Sequence, residues 1–127
     1  MGKPEAQLQI SVCQHLDVIL PSDATYWASL NERNVTKSTG AYVNRMGRKS
    51  GVADLLVLHA GRLIAIELKT DNNPIRKTRR TYQSANQKDW QADVERCGGF
   101  YAVCRSIEDV SGTLRGFGVP IREKTHT

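Results

Sequence analysis

The chain has 127 residues, of which 39% are hydrophobic and 24% charged, with only 4 Pro and 10 Gly. This length and composition predict one globular domain over residues 1–127 and exclude collagen-like, coiled-coil and disordered classes. No apolar run approaches the roughly 18–20 residues of a membrane helix, and the start of the chain lacks the apolar core of a secretory signal. We therefore expect a cytoplasmic protein with no membrane partner.

The charge balance and the cysteines narrow the class further. Eighteen Lys and Arg against thirteen Asp and Glu give a net charge of +5, which favours an anionic partner such as nucleic acid. Cys13, Cys97 and Cys104 are odd in number and far apart, so neither a disulfide framework nor a zinc site is indicated. We expect reduced thiols in the core.

The first elements are a helix and a short strand. Apolar residues recur at helical spacing between Pro4 and Leu20, and Tyr26 to Leu30 is short and partly aromatic. Residues 31–50 are polar, basic and interrupted by two glycines. They receive no assignment, because a loop of this length is either functional or a structure that the pattern does not reveal.

A β-hairpin is the clearest prediction. Ala53–His59 and Arg62–Thr70 are apolar, β-branched runs separated only by Ala60 and Gly61, a typical two-residue hairpin connection. Apolar residues stand on both faces of these strands, so the sheet needs helices on both sides.

The second half of the chain supplies further elements. Ser84 precedes a helix that runs to about Cys97, Phe100–Cys104 reads as a buried strand, and Ile107–Leu114 reads as a short helix. Residues 119–127 are expected to form a flexible tail. The predicted fold class is α/β, with a mixed central β-sheet flanked by helices on both faces.

The hairpin brings two carboxylates together. A turn symmetric about Ala60 and Gly61 places Asp54 opposite Glu67, and Lys69 points to the same face as Glu67. Opposed carboxylates among apolar residues need a cationic partner. A divalent metal such as Mg²⁺ suits their hard oxygen ligands better than Lys69 alone.

Two more polar residues stand at the heads of the apolar stripes of the flanking helices. These are Glu5 on the first helix and Gln87 on the later one. Taken singly, each is more often an ordinary first-turn residue, and a single strand carboxylate is more often solvated. The convergence of Glu5, Asp54, Glu67, Lys69 and Gln87 on one place favours a functional site.

Three segments together resemble the VRR-NUC family of the PD-(D/E)XK nuclease superfamily: Gly51 to Asp54, Glu67 to Lys69, and Ser84 to Gln87 followed by Trp90. The resemblance implies a restriction-endonuclease-like fold and a Mg²⁺ cofactor, with Mn²⁺ as a substitute. It implies that Asp54, Glu67, Lys69 and Gln87 are catalytic. The implied metal ligands are Glu5, Asp54, Glu67 and the Leu68 carbonyl. Ala53 stands where the superfamily name has Pro.

Basic residues flank these motifs on both sides. We expect them to contact DNA phosphates, although solvated loops are the commoner role of such runs. The residues are Arg45, Arg48, Lys49, Arg76, Lys77, Arg79 and Arg80.

The function implied is a metal-dependent endodeoxyribonuclease for branched DNA, like the Holliday-junction resolvases of DNA repair and recombination, in a bacterial cell or phage-infected host. Alternatives are a flap, nick or sequence-specific nuclease, or a non-catalytic nucleic-acid-binding module on the same fold. Paired cuts in a junction require two active sites, which predicts a homodimer. Its surface would involve Ile10, Val18 and Leu20, or Phe117 and Val119, unless these residues pack within the monomer.

Overall fold

The computed structural model of the protein describes residues 4–30, 37–70 and 84–122. In chain order the elements are α1 (Pro4–Ile19), β1 (Ala24–Ala28), α2 (Lys37–Arg45), β2 (Leu55–His59), β3 (Arg62–Leu68), α3 (Ala85–Arg96), β4 (Phe100–Cys104) and α4 (Ile107–Gly116). None of the helices described in these ranges is long and apolar enough to cross a membrane.

The four strands form one mixed sheet in the order β1-β2-β3-β4. β1 pairs with β2 and β2 with β3 in antiparallel fashion, whereas β3 and β4 are parallel. The parallel pair requires a crossover connection, which contains α3. The mixed α/β sheet predicted from the sequence is therefore confirmed.

The β2–β3 hairpin has the predicted register. Leu55 lies opposite Ile66 and His59 opposite Arg62, so the turn consists of Ala60 and Gly61. Both turn residues have positive φ, 54° and 78°, as a type I′ turn requires. This turn matches the right-handed twist of the strands and fixes which side chains share a face.

Helices cover both faces of the sheet. On one face, residues of α1 and α4 such as Leu16 and Leu114 pack with Leu55, Ile64 and other strand residues in the larger core. On the opposite face, Trp90 of α3 packs against a smaller cluster. This smaller cluster contains Ala53, Leu56, Ala65 and Tyr101. Glu67 lies two residues after Ala65 on β3 and therefore on this same face of the sheet.

Three expectations need correction. Residues 37–45, left unassigned, form helix α2, a short and mostly polar segment that includes Gly40. Val119 is buried and the Arg122 N–H donates to the Ile19 carbonyl, so residues 119–122 are packed and do not form a flexible tail; residues 123–127 lie outside the described residues. All three cysteines are free, but Cys97 is exposed and is not a core thiol.

Two apolar side chains of α1 remain exposed. Ile10 and Val18 are 59% and 50% exposed, whereas Leu20 and Val119 are buried. Phe117 stacks on Phe100 with ring centroids 4.3 Å apart. Of the residues predicted for a dimer surface, only Ile10 and Val18 are thus available to a partner.

Candidate active site

Asp54 lies immediately before β2 and joins the ends of three strands. Its carbonyl accepts a hydrogen bond from the Ser29 N–H at 3.0 Å, which extends the β1–β2 ladder by one step. Its Oδ2 accepts from the Leu68 N–H at 2.8 Å. The carboxylate thus binds the backbone of β3 beside Glu67, close to the position that the hairpin register predicts.

Glu67 is a buried charged residue on β3, with 6% of its surface exposed. Its Oε2 accepts a hydrogen bond from Gln87 Nε2 at 2.9 Å. Its Oε1 is buried and has no hydrogen-bond partner among the described residues. A buried carboxylate oxygen without a partner is costly in an apolar setting, so this atom is a candidate ligand for a cation.

The electrostatic environment of Glu67 disfavours its charged form. Burial raises the pKa of Glu67 to about 7, and the nearby charges of Asp54 and Glu5 add to the effect, whereas Lys69 opposes it. Burial is therefore the main reason that this carboxylate favours its protonated form.

Lys69 follows β3 and points to the same side as Glu67, as the two-residue spacing predicts. Its Nζ lies 3.5 Å from Glu67 Oε2, and its side chain is 19% exposed. Its backbone N–H donates to the Cys104 carbonyl at 3.0 Å and continues the pairing with β4. The ammonium group is thereby held between the buried carboxylate and solvent.

Gln87 has two structural tasks at once. Its side-chain Oε1 accepts a hydrogen bond from the Ser84 backbone N–H at 3.1 Å, and its backbone N–H donates to Ser84 Oγ at 3.2 Å. Together these two bonds form a capping box at the start of α3. Its Nε2 donates to Glu67. Gln87 therefore has the ordinary helix-start role and also contacts Glu67, another residue that the sequence predicts in the site.

Gly51, in the motif that ends at Asp54, is a positioning residue whose physical role appears only in the folded chain. Its φ is +82°, and a Cβ at this position would lie 2.4 Å from the Asn86 carbonyl oxygen and 2.8 Å from the Gln87 backbone nitrogen. Only glycine allows the loop before β2 to approach the first turn of α3 this closely. The close approach places Gln87 beside the strand ends.

The predicted residues line one cavity of about 580 Å³. It is lined by Glu5, Asp54, Glu67, Leu68, Lys69 and Gln87 together with Arg48 and Lys49. The structure thus brings together all five residues whose convergence the sequence predicts, and two of the predicted basic residues. Leu30, which follows β1 and is 75% exposed, lies at the same cavity.

The remaining basic residues differ in location. Arg45 does not line the cavity; its guanidinium lies 5.7 Å from the centre of the Tyr42 ring on α2. Arg48 donates from Nε to Asn44 Oδ1 at 3.0 Å, which orders the wall that it forms. The residues Arg76, Lys77, Arg79 and Arg80 lie outside the described residues.

The carboxylate oxygens of the site fit a hard divalent cation in part. The unpartnered Glu67 Oε1 and the adjacent Asp54 carboxylate are the oxygen ligands that Mg²⁺ prefers. Within residues 4–30, 37–70 and 84–122, however, no three His, Cys, Asp or Glu side chains are grouped closely enough to hold a metal. Two carboxylates form the core of the site, and Glu5 lies at the cavity wall.

Comparison with known structures agrees with this architecture. A solved structure of a VRR_NUC domain protein matches with a TM-score of 0.58 and 21% identity, covering 93% of this chain and 90% of that chain. No protein-family model matches the chain. No curated protein matches it either. At this identity the likeness shows the fold: the chain has the α/β fold of a VRR_NUC domain, as the sequence resemblance predicts.

Proposed function

We propose that the protein is a Mg²⁺-dependent endodeoxyribonuclease that hydrolyses phosphodiesters in branched DNA. The observation that carries this proposal is the buried Glu67 carboxylate, which has one oxygen fixed by Gln87 and the other without a partner. Asp54 and Lys69 stand beside it in the same cavity. The VRR_NUC fold supports a nuclease-type domain.

The carboxylates would hold the cation. Asp54 and Glu67 are the proposed ligands, with the Leu68 carbonyl and Glu5 as further donors at the cavity wall. Bound Mg²⁺ supplies Lewis-acid stabilisation of the charge that develops on the phosphoryl oxygens. Mn²⁺, with the same preference for oxygen ligands, should substitute.

The residues of the chain position the reacting groups. Gln87 fixes the orientation of the Glu67 carboxylate through its 2.9 Å hydrogen bond. The Lys69 ammonium, 3.5 Å from Glu67 Oε2 and partly exposed, can donate to a phosphate oxygen or to the attacking water. Preorganised donors of this kind stabilise developing charge without reorganisation.

The basic wall supports a nucleic-acid substrate. Arg48 and Lys49 line the cavity that contains the carboxylates, so a phosphate backbone would meet cations on one side and the reactive groups on the other. Such contacts position DNA without reading its sequence. They suit a DNA substrate that is recognised by its branched structure. We propose that the protein acts in the cytoplasm.

A homodimer follows from the chemistry of paired cuts. A four-way junction has two symmetry-related strands, and the described residues of one chain form one such site, so paired cuts would require two copies related by a two-fold axis. The exposed Ile10 and Val18 on α1 are the candidate contact residues. Light scattering on the parent and on an Ile10→Asp, Val18→Asp double variant tests this step.

A cleavage assay on a panel of DNAs tests the activity. The panel contains linear, nicked, flapped and four-way substrates, each with Mg²⁺, Mn²⁺ or EDTA. We expect metal-dependent cleavage that is fastest on the four-way substrate. Asp54→Asn and Glu67→Gln should abolish cleavage but retain DNA binding.

The matched control is Glu108→Gln, an exposed carboxylate on α4 away from the cavity. It should cleave like the parent. Binding without cleavage by the parent in every metal would instead assign the chain to a non-catalytic binding module. If flapped or nicked DNA is cleaved faster than the four-way junction, that DNA becomes the proposed substrate instead.

A further inference from the structure

The sheet has a continuous row of side chains directly beside the carboxylates. Consecutive cross-strand partners are Trp27 with Leu56, Leu56 with Ala65, and Ala65 with Tyr101. Partners opposite each other share a face, so these four side chains form one row across all four strands. We call it the apolar row.

The carboxylates occupy the neighbouring row. Glu67 lies two residues after Ala65 on β3, and Asp54 lies two residues before Leu56. Two residues along a strand span about 6.8 Å and return to the same face. The apolar row therefore runs parallel to the reactive groups at about the spacing between neighbouring nucleotides in a single strand.

The two ends of the apolar row are covered differently. Tyr101 is buried, and Trp90 of α3 packs edge-on against it with ring centroids 6.2 Å apart. Trp27, at the other end, is 45% exposed, and Leu58 in the next row on the same face is 40% exposed. An indole surface is thus available to a ligand on the face of the sheet that bears the active-site carboxylates.

We propose that Trp27 is a stacking platform for a base that unpairs at the branch point of the DNA substrate, an inference that rests on the proposed function and says how that substrate is held. Its charge setting supports DNA as the occupant, because Arg48 and Lys49 line the cavity that contains Asp54, one row away from Trp27, and would bind the backbone of the same strand. Aromatic side chains beside a basic groove are the usual arrangement for single-stranded nucleic acid. A base within a duplex is already stacked on both sides and cannot reach the sheet.

Fluorescence can report this contact directly, because the chain has only 2 Trp. In a Trp90→Phe variant, Trp27 is the sole tryptophan. Measured in EDTA, we expect its emission to be quenched by oligothymidylate and by a duplex with a single-stranded tail, and to be unaffected by a blunt duplex. Equal quenching by the blunt duplex, or none by any DNA, would overturn the platform.

Binding measurements give a second readout. Trp27→Ala should weaken binding to the tailed duplex about 5- to 150-fold, the range expected when one stacked base loses its aromatic partner, and leave binding to the blunt duplex unchanged. Trp27→Phe keeps an aromatic face and should retain most of the affinity. Equal weakening for both DNAs would refute the platform, and circular dichroism verifies that each variant is folded.

The platform and the nuclease proposal can fail separately. A Trp27→Ala variant that binds and cleaves branched DNA as the parent does would remove the platform and leave the nuclease intact. Selective quenching of Trp27 in the Trp90→Phe variant, together with a parent that cleaves no DNA with any metal, would leave the binding surface intact and remove the nuclease.

Discussion

Gln87 donates from Nε2 to Glu67 Oε2 at 2.9 Å while its Oε1 accepts from the backbone of Ser84, so one amide links the start of α3 to the buried carboxylate. The orientation of Glu67 therefore depends on correct docking of the helix. This coupling separates Gln87 from ordinary capping residues.

Replacing Gln87 with alanine should lower both stability and activity. Removing half of the capping box and the bond to Glu67 should cost about 1–3 kcal/mol of unfolding free energy. Thermal unfolding and single-turnover cleavage measure the two effects. The control is Gln91→Ala on the same helix, which removes only an exposed bond to Glu95 and should cleave normally. Parental activity in Gln87→Ala would remove its role in the site.

Glu67→Gln should stabilise the metal-free protein at high pH. The folded-state pKa of Glu67 is raised from 4.5 to about 7, so the folded protein holds its proton more tightly than the unfolded chain. Stability is therefore lost as pH rises from 4.5 to about 7, by on the order of 3 kcal/mol above that window. Urea unfolding of parent and variant in EDTA at pH 4 and pH 8 should diverge only at the higher pH.

The same pair of proteins tests the cation site without any cleavage assay. A ligand that binds only the folded state raises the unfolding temperature. Mg²⁺ or Mn²⁺ should therefore raise the Tm of the parent and have little effect on Glu67→Gln. An equal rise in both proteins would place the cation elsewhere.

Gly51→Ala should destabilise the protein more than Gly47→Ala, although both glycines have a positive φ. Gly51 and Gly47 both have positive φ, but a Cβ at Gly47 would meet nothing within 4 Å, whereas at Gly51 it would lie 2.4 Å from the backbone of Asn86. Gly47→Ala should cost about 1 kcal/mol from backbone strain. Gly51→Ala should cost a further 1–3 kcal/mol, roughly, from overpacking, and should reduce cleavage by displacing Gln87. Equal stabilities would contradict the close approach.

Neutralising the basic wall should change the salt dependence of DNA binding. Each phosphate that the protein no longer neutralises reduces the steepness of log K against log salt by about 0.9. The double variant Arg48→Gln, Lys49→Gln should thus flatten the slope, as should joint neutralisation of Arg76, Lys77, Arg79 and Arg80. The control is Arg62→Gln at the far end of β3, where the guanidinium lies over Phe100. An unchanged slope would show that the wall does not touch DNA.

The sequence predicts the hairpin and the carboxylate pair because both depend on local rules. Two-residue alternation and a two-residue turn specify the β2–β3 register, and this register places Asp54 and Glu67 together. The cap at Ser84 is equally local. These features needed no knowledge of the tertiary structure.

Other features arise only in the folded molecule. The nine residues of α2 are mostly polar and include Gly40, which lowers helix propensity, so local composition does not predict a helix there. The role of Gly51 depends on where α3 docks, which the chain near Gly51 does not encode. The packing of Val119 depends on contacts with distant elements, which its neighbours Gly118 and Pro120 do not indicate.

The parallel pairing of β3 with β4 has a consequence for folding kinetics. The hairpin alone can bring Asp54 to the Leu68 N–H, but the Lys69 N–H reaches the Cys104 carbonyl only after α3 has crossed over and β4 has docked. Closing the longer loop costs more entropy, and non-local strand pairing is slow. We expect conservative truncations in the hairpin, such as Ile64→Val, to slow folding, and Val103→Ala to accelerate unfolding instead. The carboxylates would then be assembled before the lysine is in place, so metal ions present during refolding should bind a chain whose proposed catalytic centre is still incomplete.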